Sequence, residues 1–214
     1  MGASETFDFA GPAGRLEAVL VQPDAPPVAA AVVCHAHPLH GGMMHFKPVF
    51  RAAKALQEAG LAALRFNFRG VGRSEGVHDG GVGEQDDARA ALDEMGRRYP
   101  GLPLVLGGFS FGSTMALRVA AREPRVRAVL AMGYPLRRLG DAAPLGDVRQ
   151  PRLFVQGGED EFGPAEEIRA TVEPLLPPRE LVVVAGADHY LTGRLDELHA
   201  AVAAWAGRRP WETA

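Results

Sequence analysis

The sequence predicts one α/β domain: a mostly parallel central sheet with an antiparallel N-terminal hairpin, helices on both faces and no cap domain. Three observations carry this expectation. Short apolar runs alternate with amphipathic segments almost from end to end. From the third run onward the apolar stretches are continuous, as in strands covered on both faces. The segments between them have the length of helical crossovers, which parallel strands require. At 214 residues the chain can bury such a sheet within a single domain spanning 1–214.

The elements follow in order. Residues 6–9 and 16–21 read as strands, joined by the Gly-Pro-Ala-Gly turn at 11–14, and so form an antiparallel hairpin. The Pro-rich stretch 22–27 is a surface turn. Residues 29–34 are a run of small and β-branched side chains, the pattern of a central strand. A helix is expected over 46–58, closing at Gly60. Strands then fall at 61–68, 102–107, 126–132, 152–156 and 181–184. Helices fall at 84–98, 110–122, 164–175 and 193–206. The one long irregular stretch in the second half, 134–150, is too short for a separate cap.

Composition narrows the function. A net charge of -3, with arginines scattered among acids, offers no basic face for nucleic acid or anionic membrane. The single cysteine, Cys34, lies inside an apolar run and reads as a buried, inert thiol. Met1 to Phe9 has neither a basic start nor an apolar stretch, so no signal peptide is expected, and no window approaches a membrane span. A cytoplasmic protein acting on a small molecule is the expectation.

The chemistry concentrates at strand ends. Gly108-Phe109-Ser110-Phe111-Gly112 matches G-x-S-x-G between a strand and a helix, the setting in which that pattern marks a nucleophile. A strand reversing abruptly into a helix holds the serine in a strained conformation at the sheet edge, and glycines on either side allow close approach. The N–H of Phe111, in the first helical turn, would face a developing oxyanion. As a plain helix cap, Ser110 would not require glycine on both sides.

A serine hydroxyl needs a base, and the base needs orienting. Asp160 follows the strand at 152–156, with Glu159 and Glu161 as competitors. His189 follows the last strand. The order serine, acid, histidine, each after a later strand, assigns Ser110 as nucleophile, Asp160 as acid and His189 as base. His199, among Asp196 and Glu197, reads as a solvated helix face.

The segment His35-Ala36-His37-Pro38-Leu39-His40-Gly41-Gly42 admits two readings. As H-x-H-x-x-H it could hold a metal through His35, His37 and His40, making a metal-dependent hydrolase the alternative function. As the loop after the third strand it would supply a second oxyanion donor, the N–H of His37 or, failing that, of Leu39. Pro38 has no N–H to offer. Arg69-Gly70-Val71-Gly72-Arg73-Ser74-Glu75-Gly76 fails the G-x-G-x-x-G spacing and reads as a structural loop.

Taken together, the histidine-rich loop, Arg65 to Ser74, the Gly108 to Gly112 turn, Gly157 to Asp160 and Asp188-His189 resemble the α/β-hydrolase superfamily. Within it the chain is similar to the small lidless members related to dienelactone hydrolases, although His-Ala-His-Pro stands where those tend to have His-Pro-His-Pro. The resemblance implies serine-hydrolase chemistry with no cofactor, and it is compatible with a homodimer; the short 134–150 connection, which leaves the site without a lid, is what points to small acyl esters. A catalytically silent binding module on the same fold is the third reading.

Overall fold

The computed structural model describes residues 2–138 and 145–212. The chain opens with β1 (Ser4–Gly11) and β2 (Gly14–Val21), an antiparallel hairpin. It continues through β3 (Ala29–Cys34), α1 (Lys47–Glu58), β4 (Leu61–Phe66), α2 (Gly83–Arg98), β5 (Leu104–Phe109) and α3 (Phe111–Ala120). Then come β6 (Val126–Met132), β7 (Arg152–Gly157), α4 (Ala165–Val172), β8 (Arg179–Val184) and α5 (Leu195–Gly207). Among the described residues the sheet has eight strands in the order β1-β2-β4-β3-β5-β6-β7-β8. β2 runs antiparallel to β4, and every pairing beyond that is parallel.

Continuous apolar runs arise because alternate residues face two separate cores. Ala30, Val32 and Cys34 of β3 face one layer, packed by Ala88, Leu92 and Met95 of α2 and by Leu117 of α3. Ala29, Ala31 and Val33 face the other, packed by Ala52 and Leu56 of α1 and by Trp205 of α5. Alanines on both β3 and α1 let that helix lie close to the sheet. No helix among the described residues is long and apolar enough to cross a membrane.

Several boundaries move for local reasons. The strand expected to run to 68 stops at Phe66, because the Asn67 N–H turns to the Glu17 carbonyl and the Phe68 N–H to the His35 ring. The strand expected at 102–107 runs on through Gly108 to Phe109, since both glycines pair with β3 and β6. Helix α3 begins after Ser110, whose φ of 54° is not helical. The last helix begins at Leu195 because Gly193 sits at φ 71°. Within the 134–150 connection, residues 139–144 lie outside the described residues.

The strand order places the crevice. β4 lies on one side of β3 and β5 on the other, so the connections leaving this pair diverge. In open α/β sheets such a switch point opens a cleft at the carboxyl ends of the strands. The loops after β3 and β5 both emerge there.

Candidate active site

The turn after β5 is built by exclusion. A Cβ on Gly108 would lie 2.1 Å from the Gly112 carbonyl oxygen. One on Gly112 would lie 2.4 Å from the Cys34 oxygen and 2.5 Å from that of His35. Neither contact is tolerable, so only glycine lets α3 fold back against its own strand and against the loop from β3. Between them Ser110 adopts φ 54° and ψ -119°, a conformation that costs a non-glycine residue of order 1–3 kcal/mol. Its N–H donates to the Met132 carbonyl at 2.9 Å, and its carbonyl accepts from the Ser113 N–H and hydroxyl. The hydroxyl is thereby presented to the cleft rather than to the helix.

His189 Nε2 lies 2.9 Å from Ser110 Oγ, and its Nδ1 lies 2.8 Å from Asp160 Oδ2. An ionised carboxylate can only accept, so Nδ1 carries the proton and the Nε2 lone pair faces the serine hydroxyl. His189 and Asp160 are 2% and 1% exposed. Asp160 is further held by Gln156 Nε2 at 2.7 Å, the Phe162 N–H at 2.8 Å and the Gly163 N–H at 3.2 Å. These donors orient a carboxylate that solvent does not reach. Glu159 and Glu161, the competing acids, are both exposed and point elsewhere.

The acid's loop and the base's loop are tied by backbone. The Gly158 N–H donates to the Val184 carbonyl and the Glu159 N–H to that of Ala187. A Cβ on Gly157 would lie 2.4 Å from the Asp188 oxygen, so the close crossing of the two loops depends on that glycine. The imidazole is packed by Phe162 edge-on at 4.7 Å, with Phe109 and Tyr190 each at 5.2 Å. Sequence reasoning missed Gln156 and Phe162. A glutamine directly after the apolar run Leu153-Phe154-Val155 was the available signal for the first.

The histidine-rich loop does not gather its imidazoles. His35 is wholly buried, with Nδ1 donating to the Ala36 carbonyl at 2.6 Å and Nε2 accepting the Phe68 N–H at 3.0 Å. Burial pushes its pKa down to about 4, although the Ala36 hydrogen bond opposes this. With both nitrogens engaged, His35 has no lone pair for a metal, which tells against the alternative three-histidine ligand set. Among the described residues no three metal-binding side chains converge. His37 instead packs at a tilt against His40 at 4.7 Å, His78 at 4.9 Å and Phe111 at 5.0 Å. Desolvation, with His40 and His78 nearby, lowers its pKa.

The alternate oxyanion donor is corrected, because the Leu39 N–H is taken up by His37 Nδ1 at 3.2 Å. The His37 N–H has no hydrogen-bond partner among the described residues. Phe111 heads α3, where the first-turn amides have no intrahelical acceptor. Both residues line a cleft of about 600 Å³ that also contains Ser110 and His189. His199, expected on a solvated face, bridges α5 to α1 through Glu58 at 2.8 Å. The Arg69 loop is structural, as expected. Arg69 forms a buried ion pair with Asp87 at 2.7 Å, and Ser74 Oγ joins the Asn67 carbonyl to the Glu17 N–H.

A strand-turn-helix serine joined to a buried histidine and aspartate on this sheet defines an α/β hydrolase. The chain matches the alpha/beta hydrolase domain family over residues 29–201 and belongs to it. It is 40% identical to an alpha-beta serine hydrolase homologue from Coxiella burnetii, covering 94% of this chain and 96% of that one with a TM-score of 0.88. It is 34% identical to an α/β serine hydrolase without lid from Xanthomonas campestris, covering 96% and 94% with a TM-score of 0.87. A dienelactone hydrolase from Anabaena variabilis shares the fold at 21% identity, covering 95% and 96% with a TM-score of 0.79.

Proposed function

We propose that the protein is a serine hydrolase of carboxylic esters, acting through an acyl-enzyme on Ser110. The observation that carries this reading is the pair of hydrogen bonds, at 2.9 and 2.8 Å, linking Ser110 Oγ to His189 and His189 to buried Asp160. His189 Nε2 takes the serine proton as Oγ attacks the ester carbonyl, and Asp160 stabilises the imidazolium that forms. The N–H groups of Phe111 and His37 receive the tetrahedral oxyanion. Collapse expels the alcohol, which takes its proton from His189. Water then repeats the sequence on the acyl-enzyme and returns the free serine. The cleft opens to solvent around Ser110, which suits small, freely diffusing esters better than long-chain lipid.

The direct test is intact-mass detection of a phosphonylated protein after fluorophosphonate treatment, mapped by digestion to the Ser110 peptide. Short p-nitrophenyl esters are assayed in parallel. Ser110→Ala is expected to abolish labelling and to lower turnover by about 10⁴-fold or more. A labelled, fully active Ser110→Ala protein would sink the proposal.

A further inference from the structure

Beyond the reacting atoms, the cleft has a polarity the proton relay does not use. Among the described residues its lining includes Arg118 and Arg138 and no aspartate or glutamate. Most arginines of the described residues are ion-paired, among them Arg15, Arg69, Arg98, Arg125 and Arg137. The Arg118 guanidinium has no hydrogen-bond or ion-pair partner among the described residues, although its residue is half-buried. Arg138 lies over the Phe162 ring at 4.8 Å, and that ring packs on His189.

Thr114 supplies the second, independent observation. It is 2% exposed and lines the cleft, and its Oγ1 is buried without a hydrogen-bond partner. A helical threonine ordinarily bonds back to the carbonyl four residues earlier. Here that carbonyl belongs to Ser110 and already accepts from Ser113 and from the Thr114 N–H. The hydroxyl is therefore left as a buried donor awaiting an acceptor. Burying such a group unpaired is unfavourable, and a bound ligand that accepts its hydrogen bond can offset that cost.

Ser110, Thr114 and Arg118 are spaced i, i+4, i+8 and follow one face of α3 away from the nucleophile. At about 1.5 Å per residue, Thr114 stands about 6 Å and Arg118 about 12 Å beyond Ser110. Helical side chains lean toward the N-terminus, so the guanidinium tilts back toward Thr114. The walls between are apolar: Phe111, Met115, Pro135 and Phe162.

We infer that the cleft takes esters whose acyl arm is an apolar chain ending in an anionic group, held between Thr114 Oγ1 and the Arg118 guanidinium with Arg138 adding positive field. The inference rests on the hydrolase reading above for its substrate class, and on the Ser110-Thr114-Arg118 row for its specificity. An anion about 9 Å from the acylated oxygen requires a chain of about seven bonds, at about 1.2 Å advance per bond. That is the length of an eight-carbon dicarboxylic acid esterified at one end.

The test compares the mono-p-nitrophenyl ester of suberic acid, its free carboxylate intact, with the same ester methylated at that carboxyl. Wild type is expected to favour the anionic ester by about tenfold in kcat/KM, with the preference shrinking in 0.5 M NaCl. Arg118→Gln should bring the ratio close to one, Arg118→Lys should keep part of it, and Thr114→Val should reduce it by about threefold. A ratio near one in wild type, or an unchanged ratio in Arg118→Gln, overturns the inference. Calorimetric binding of monomethyl suberate to Ser110→Ala, with and without Arg118→Gln, reads the anion site independently of turnover. Binding that weakens with Arg118→Gln supports the inference even if Ser110 proves unreactive. Absent or Arg118-independent binding overturns it even if the esterase assay succeeds.

Discussion

Two loops face each other across the crevice, and they are held in different ways. The turn carrying Ser110 is fixed from inside, by its N–H on the Met132 carbonyl and by glycines that meet backbone on both sides. The loop from His35 to Gly42 is anchored at its base, where His35 is buried against Phe68, and by the His37 ring against His78 and Phe111. Its own turn closes through His40 and Gly42 N–H groups on the His37 carbonyl, and Leu39 is 70% exposed. One loop contributes a side chain at a strained position, and the other is assigned a backbone amide. Side-chain chemistry should therefore govern function on the first, and main-chain chemistry on the second.

The largest effect that would sharpen this contrast lies with the buried acid. Every donor around Asp160 requires an acceptor, so Asp160→Asn turns an amide NH₂ against Gln156 or the loop N–H groups, or against His189. Turnover is expected to fall by about 10⁴-fold with the fold retained. Glu159→Gln and Glu161→Gln, measured alongside, should stay near wild type. Loss of activity in either, with Asp160→Asn active, would reassign the acid.

A middle-sized effect would break the contrast outright if it failed. His37 has φ -54° and ψ 124°, values a proline adopts without strain. His37→Pro thus deletes one N–H at constant backbone, and kcat is expected to fall by about 10²-fold with KM little changed. His37→Ala, which keeps the amide, should cost far less. Equal kcat values for the two variants would remove the His37 amide from the mechanism.

The smallest effect concerns stability. His35 has its pKa depressed by burial to about 4 from 6.5. Between those values the unfolded chain takes up a proton that the folded chain refuses. Stability should thus fall as pH drops from 6.5 toward 4, and the contribution should level off below about 4. Urea midpoints measured across that range should decline more steeply for wild type than for His35→Gln. Parallel curves would mean the ring is not buried neutral.

What could be read in advance followed the same division. Ser110, His189 and Asp160 were legible because each is a side chain of distinctive chemistry placed after a strand. The two-core sheet was legible in the run 29–34, whose length and β-branched or small content exclude a solvated face. The histidine loop left its ligand set open because H-x-H-x-x-H states identity and spacing but not whether a ring is spent on a neighbouring amide, as His35 is on Phe68. The Thr114 hydroxyl escaped notice because its lack of a partner depends on how many donors already crowd the Ser110 carbonyl, a matter of three dimensions. Strand ends shifted where an amide left the ladder, as at Asn67 and Phe68, or where a glycine stayed in it, as at Gly108.

Cys34 ends β3 fully buried, and desolvation, with Asp87 nearby, raises its pKa far above neutrality. Because the thiol stays protonated and shielded, alkylating reagents and mild oxidants should leave the native protein untouched. A maleimide would react only with molecules that have opened the sheet, so this one sulfur makes the chain its own gauge of unfolding.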